Sequence, residues 1–389
     1  MLRILTAGES HGRMLVGILE GMPAGLRIEK EKIDEQLRRR QVGFGRGARQ
    51  HIESDRVDIL SGVRFGTTLG SPVCLSIENK DWPNWKERMD PVEGSDPVPV
   101  TVPRPGHADF AGAVKYAHQD IRNVLERASA RETAMRVALG AVVRQLLEVF
   151  GIWIGSHVVR IHTAQTERTF RRLGERPPAD ASDAIRETAE RADQSDVRCA
   201  DPDAARDMKI CIRNAMDLGD SVGGVFEIAA LGVPAGLGSY AAWDRRLDAA
   251  IAASVMGIPG VKSVEIGLGI ECADRLGSSV HDPFVPSDGR WPSRASNRAG
   301  GIEGGISNGN PILVRATMKP IPTLRTPLPS VDLKTGKSVP SFQERSDVCA
   351  VPAAAIVGEA MVAVEIGNAL CQRLGGDSLE TMRKNHDGL

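Results

Sequence analysis

Residues 351–370, VPAAAIVGEAMVAVEIGNAL, are the most apolar stretch of this chain, and their reading decides the fold. The length would suit a membrane span, but Glu359 and Glu365 interrupt it, and ionised carboxylates are costly in lipid. The stretch therefore reads as a buried helix of a globular protein, over about 352–373. Working outward, residues 312–317, 261–266 and 225–231 read as strands, and 244–256 as a helix with Asp244 as its N-cap. Residues 274–310 are loop-rich, and 178–209, charged and alanine-rich, read as solvated helix on the periphery.

Toward the N-terminus, residues 152–160 read as a strand and about 120–150 as one long helix ending at Gly151. Residues 81–106 hold two tryptophans and six prolines and suggest a long ordered loop or arm. Strands are predicted at 2–6, 15–20, 57–60 and 73–77, and a helix at 29–40 whose final Arg38, Arg39 and Arg40 complement the helix dipole. Strand and helix are mixed throughout and no segment has the composition of a linker, so one large compact α+β unit is expected over 1–389.

Composition narrows the function. Of 389 residues, 41% are hydrophobic and 25% charged, as in an ordinary globular protein, and the net charge is −1. There is no basic field to draw nucleic acid or an anionic membrane, and at 4% aromatics there is little to stack bases on. The six cysteines are scattered without zinc spacing, so no metal is expected and the thiols read as reduced, in a cytoplasmic protein. No apolar leader stands at Met1.

Two short loops suggest proton transfer. His11 lies in Gly8-Glu9-Ser10-His11-Gly12 and His107 in Arg104-Pro105-Gly106-His107-Ala108-Asp109. Histidine titrates near neutrality and can lend a proton in one step and recover it in the next. Arginines supply a second signal: Arg40, Arg46, Arg49, Arg127, Arg131 and Arg345. Arg127 and Arg131, four apart, would share a helix face, either around an anion or in pairs with Glu126 and Glu132. Arg46 and Arg49 sit in a glycine loop that suits an anion. The glycine-rich run 297–309, followed by Lys319-Pro320-Ile321-Pro322-Thr323, would suit a cofactor with a phosphate tail. In Glu344-Arg345-Ser346-Asp347, Asp347 is either a helix N-cap or a base tuned by its neighbours. Two look-alikes are set aside. Thr335-Gly336-Lys337-Ser338 lacks the first glycine of a phosphate loop, and Gly236-Leu237-Gly238 lacks the acidic residue of a dinucleotide site.

As an ordered set these motifs resemble one family, the chorismate synthases. The set runs GESHG at 8–12, RRRQVGFGRGARQ at 38–50, RPGHAD at 104–109, ERASARETA at 126–134, GDSVGG at 219–224, GVPAGLGS at 232–239, SNRAGGIEGGISNGNP at 296–311, MKPIPT at 318–323 and ERSD at 344–347. The resemblance implies helices sandwiched between two antiparallel sheets, in a homotetramer. It implies 1,4-anti elimination of phosphate from 5-enolpyruvylshikimate 3-phosphate, with reduced FMN required and no net redox change. His11 would then protonate the departing phosphate, His107 would face the flavin and Asp347 would assist loss of the ring proton. Flavin contacts carry over to Arg127, Ala128, Ser129, Pro259, Gly260, Gly304, Lys319, Pro320, Ile321, Pro322, Thr323 and Arg345. Substrate contacts carry over to Ser10, Arg49 and Arg131, and Arg40 and Arg46 to substrate anions or an NADPH phosphate. Pro259-Gly260 departs from the polar residue and alanine common in relatives, and proline has no N–H to donate. Two alternatives are a bifunctional form that reduces its flavin with NADPH, and a non-catalytic anion- or nucleotide-binding protein on the same scaffold.

Overall fold

A computed structural model describes residues 1–47, 53–94, 98–176, 178–287, 291–344 and 346–387. Strands β1 (Arg3–Ala7), β2 (Met14–Glu20), β3 (Val57–Ser61) and β4 (Val73–Glu78) form one sheet in the order β1-β2-β4-β3. Strands β5 (Trp153–Ile161), β6 (Ala164–Gln165), β7 (Gly224–Leu231), β8 (Val261–Ile266) and β9 (Ile312–Met318) form a second, in the order β8-β9-β7-β5-β6. Every neighbouring pair is antiparallel. Alternation sets the inner face: Leu15, Gly17 and Leu19 of β2 are buried while Ile18 and Glu20 are exposed.

Between the sheets lie α1 (Lys30–Gln41), α2 (Thr133–Val149) and α6 (Val351–Leu374), with α5 (Leu247–Met256) packed on α6 and β8. Further helices include α3 (Pro178–Asp193) and α4 (Pro202–Asp217), α3 covering the outer face of the second sheet around Phe170, Ile185 and Leu313. The expected sandwich is present, in an α+β fold. Its layers touch through small residues. A Cβ on Gly17 would fall 2.5 Å from Met135, one on Gly140 would fall 2.6 Å from Ala360, and one on Gly358 would fall 2.6 Å from Ile228. The order sheet, α2, α6, sheet thus depends on close approach that a larger side chain would prevent.

The carboxylate inside the apolar helix has a purpose. Glu359 accepts hydrogen bonds from Arg39 Nη1 (2.7 Å), Arg144 Nη1 (2.5 Å) and Ser156 Oγ (2.6 Å), and Arg198 lies within 3.4 Å. The arginines ending α1 therefore do more than offset a dipole. Arg38 pairs with Glu35, Arg39 with Glu359 and Asp193, and Arg40 turns into the cavity described below.

Several sequence expectations are corrected. The helix over 120–150 is broken: Arg122–Leu125 forms one turn, Ala130–Glu132 a 3-10 turn, and only Thr133–Val149 is continuous. Ser129 causes the break, adopting extended backbone and accepting Arg131 N–H on its own hydroxyl. Asp244 is not an N-cap. It lies in the turn Trp243–Arg245, and Arg246 precedes α5. Asp347 does not cap α6, because Ala350 occupies that position. A further helix, Leu379–His386, follows α6. In the arm, short helical turns at Trp82–Asn84 and Lys86–Met89 are ordered by Asp81.

Candidate active site

The loops that join the sheets to α2 and α6 enclose a cavity of about 880 Å³. His11, His107 and Asp347 all line it, so the three proton-handling candidates converge. Ser10, Arg40, Arg46, Ala128, Ser129, Arg131, Pro259, Gly260 and the segment Lys319–Thr323 line it too.

His11 is held on three sides. Its Nδ1 lies 2.9 and 3.0 Å from the two Glu126 oxygens, and its backbone N–H donates to Oε2 at 2.8 Å. Trp85, from the arm, stacks on the ring at 3.9 Å and 21°. Burial pushes the Glu126 carboxyl up, but His11 and Arg122 outweigh it and hold it below its ordinary value. The ionised Glu126 then makes Nδ1 the protonated ring nitrogen.

His107 belongs to a second lock. Its Nδ1 is 2.6 Å from Asp109 Oδ1, and Arg104 clamps Asp109 through Nε (2.8 Å) and Nη2 (3.1 Å). Arg104 also donates to Thr323 Oγ1 at 2.9 Å, and Lys319 Nζ donates to Gly106 O at 2.6 Å, so this loop and the Lys319–Thr323 segment form one wall. Burial acts upward on Asp109, yet His107 and Arg104 hold it well below the carboxylate range.

Three further arginines line the cavity, each with a carboxylate beside it. Arg131 donates to Asp55 (2.6 Å) and Asn79 (2.9 Å), Arg40 to Thr133 Oγ1 (3.0 Å) and Ala130 O (2.9 Å), and Arg46 pairs with Asp347 at 2.7 Å. Burial drives Arg40 down to about 10, Asp55 opposing and the guanidiniums of Arg46 and Arg131 assisting. Arg131 Nη2 and Arg46 Nε are buried with no hydrogen-bond partner among the described residues. Glu53 Oε2 lies 3.7 Å from Arg131 Nη2, beyond hydrogen-bond reach, so these guanidiniums keep donor capacity that an anion could use.

Not every expected residue reaches the cavity. Arg127 is exposed and donates to Thr6 O, Thr6 Oγ1 and Gly8 O, while Arg131 is buried. The shared helix face is thus a correction, as is pairing with Glu126 and Glu132. Gly304 sits in the turn between strands Ile302–Glu303 and Ile306–Ser307 and is not among the residues that line the cavity. Arg49 and Arg345 lie outside the described residues. Gly260 O accepts Lys319 N–H at 2.9 Å, which leaves Pro259 to meet a ligand by packing or its carbonyl. Sequence reasoning missed Glu126, Trp85 and Arg104 as the groups that set the two histidines. Arg104 stands three residues from His107 in the same motif, whereas nothing local in the sequence links Trp85 or Glu126 to His11.

A sheet–helix–sheet fold enclosing two carboxylate-locked histidines and three arginines defines an enzyme that transfers protons on an anionic small molecule. Relatives identify which. The chorismate synthase family model matches residues 2–371, and the chain belongs to that family. It is 55% identical to the chorismate synthase of Desulforudis audaxviator (99% of this chain, 96% of the relative) and 51% identical to that of Aquifex aeolicus, with the same coverage. A crystal structure of chorismate synthase superposes with a TM-score of 0.79 at 42% identity, covering 100% of this chain and 96% of the other. The family are lyases of the shikimate pathway that depend on reduced flavin. Val351–Leu374 is the one helix among the described residues long and apolar enough to cross a membrane, and 83% of its apolar window is buried inside the protein.

Proposed function

We propose that the chain works as one unit over 1–389 and converts 5-enolpyruvylshikimate 3-phosphate to chorismate and phosphate, with reduced FMN bound. The observation that carries this is the meeting of His11, His107, Asp347 and three arginines in one cavity. The substrate brings a phosphate and two carboxylates, which suit the arginines Arg40, Arg46 and Arg131 on the cavity lining. In the elimination the C–O bond to phosphate breaks, a ring C–H proton leaves, and no electrons are gained or lost overall. His11, its Nδ1 committed to Glu126, carries the proton for the departing phosphate at Nε2. Arg40, Arg46 and Arg131 hold the anionic groups, and Ser10 lies beside Ser129 at 3.1 Å on the same rim.

The residues present fit a flavin. Ile258, Pro259, Met318, Ile321 and Pro322 supply apolar lining, and Lys319 and Ser129 are among the polar residues that line the same cavity. Ala128, Ser129, Pro259, Gly260 and Lys319 to Thr323 would hold it, with His107 facing the ring system. When bound, reduced flavin supplies electron density as the C–O bond weakens. Asp347, set by Arg46 and Gly47, takes up the ring proton.

Arg40 and Arg46 lie in the same cavity as His11, which favours substrate anions over an NADPH phosphate. Exposed Leu5, Ile18 and Leu60 on the outer face of the first sheet support assembly into a homotetramer. Six free cysteines suit the cytoplasm. The decisive assay is anaerobic, with dithionite-reduced FMN and 5-enolpyruvylshikimate 3-phosphate, read by chorismate absorbance. Chorismate formation is expected, and its absence overturns the reading. Turnover with NADPH alone in air would instead establish the bifunctional form.

A further inference from the structure

We infer that Glu126 is a positioning residue for this reaction: it fixes the tautomer of His11 and keeps Nε2 aimed at the ligand, with Trp85 setting the ring plane. The inference rests on the proposed role of His11 as the acid.

Glu126 touches both the backbone and the ring of His11. One carboxylate accepts the His11 amide at 2.8 Å and faces Nδ1 with both oxygens at 2.9 and 3.0 Å. Its own backbone is tied to the same loop, because Glu126 O accepts Ser10 N–H at 2.9 Å. Both elements are therefore in register before a ligand arrives. The carboxylate is itself 1% exposed and is held by Arg122 Nη1 at 3.2 Å. Arg122 also lies 5.1 Å over Trp85, the ring stacked on His11, and 3.7 Å from Glu344. Arg88 lies 5.8 Å from Trp85. Charged groups beside the pair among the described residues include Arg122, Glu344 and Arg88. Glu126 is bonded to the imidazole itself.

A histidine that donates from Nδ1 to a carboxylate presents Nε2 to a ligand and is stabilised as imidazolium. Without Glu126 the ring could rotate or take the other tautomer, and the acid would be lost even though His11 remained.

The test compares Glu126→Gln, Glu126→Asp and His11→Ala in the anaerobic assay with reduced FMN, from pH 5.5 to 9. Glu126→Gln is expected to lower kcat roughly tenfold or more, a part of the 10²–10⁴-fold worth of a general acid. The alkaline limb of its kcat/KM profile moves toward lower pH, while flavin binding is retained. Glu126→Asp restores part of that limb, which a merely structural role would not predict. If His11→Ala is impaired but Glu126→Gln keeps the wild-type rate and pH profile, the positioning role is overturned and the acid assignment stands. If His11→Ala has the wild-type rate, the acid assignment itself fails. Should Glu126→Gln not fold, ¹⁵N NMR of the wild-type protein decides, with His11 assigned by its loss in His11→Ala. An Nδ1–H tautomer or imidazolium is expected, and a neutral Nε2–H ring overturns the inference.

Discussion

Asp347 bridges to Arg46 across the length of the chain: one carboxylate oxygen pairs with the Arg46 guanidinium at 2.7 Å, and the other accepts the Gly47 amide at 2.6 Å. One side chain so placed both docks the glycine loop of residues 43–47 and presents a carboxylate to the cavity. Asp347→Asn keeps an acceptor for Gly47 but loses the charge. Single-turnover chorismate formation is expected to slow by about tenfold or more, in the lower range for loss of a proton-transfer group. Flavin affinity should change little. Anaerobic stopped-flow absorbance measures the first and fluorescence titration the second. Wild-type traces would remove Asp347 from the chemistry.

His11→Ala separates catalysis from binding. The ring is buried between Glu126 and Trp85, and the flavin contacts proposed above do not include it. Phosphate release is expected to fall roughly 10²–10⁴-fold, with FMN affinity within a few fold of wild type. A variant that loses flavin instead would show that His11 supports the cofactor site.

How much of this could be read beforehand varied with the range of the interaction. Strands β1 to β4, β7, β8 and β9 follow from local apolar runs and alternation, and each falls within a residue or two of its expected limits. The helix over 120–150 failed because one hydroxyl, Ser129, captured the Arg131 amide, a choice that periodicity does not encode. The histidine loops were visible as motifs, but their partners were not equally so. Asp109 is two residues from His107, whereas Glu126 is 115 residues from His11. Trp85 reaches His11 only through the fold of the arm. The layered order of the helices came from family resemblance, since contacts such as Gly140 with Ala360 join segments with no local signature.

Acid should unfold this protein through its buried carboxylates. Burial pushes Glu359 up, but Arg39, Arg144 and Arg198 prevail and hold it far below its ordinary 4.5. Glu126 and Asp109 shift the same way. A carboxyl lowered in the folded state gives its full stabilisation above the unfolded value and loses it as pH falls toward the folded one. Stability from urea unfolding should therefore be level near neutrality and decline steeply below about pH 4.5. Glu359→Gln should cost on the order of 3–5 kcal/mol at pH 7, because it leaves arginines buried without a counter-charge. The same variant should reduce the slope below pH 4.5 by up to one proton, and an unchanged slope would show that other groups dominate.

The helix layer offers a test in which two effects have opposite sign. Gly140 lies inside α2, where exchange for alanine would ordinarily gain about 1 kcal/mol of helix stability. At this position the added Cβ would meet Ala360 Cβ at 2.6 Å and the backbone Cα and O of Ala360 at 2.8 Å. Overpacking of this kind costs typically 1–3 kcal/mol, so Gly140→Ala is expected to lower Tm despite the better propensity. Two of the three nearest atoms are backbone, so moving the methyl away should relieve only part of the clash. The double variant Gly140→Ala/Ala360→Gly should therefore stay below wild type, and further below it than the propensity of Gly at 360 alone accounts for. Full recovery in the double variant would mean that only the two side chains compete for the space. A Gly140→Ala protein more stable than wild type would mean that α2 and α6 can separate without penalty, and the close approach of the two helices would then not be what sets the spacing of the layers.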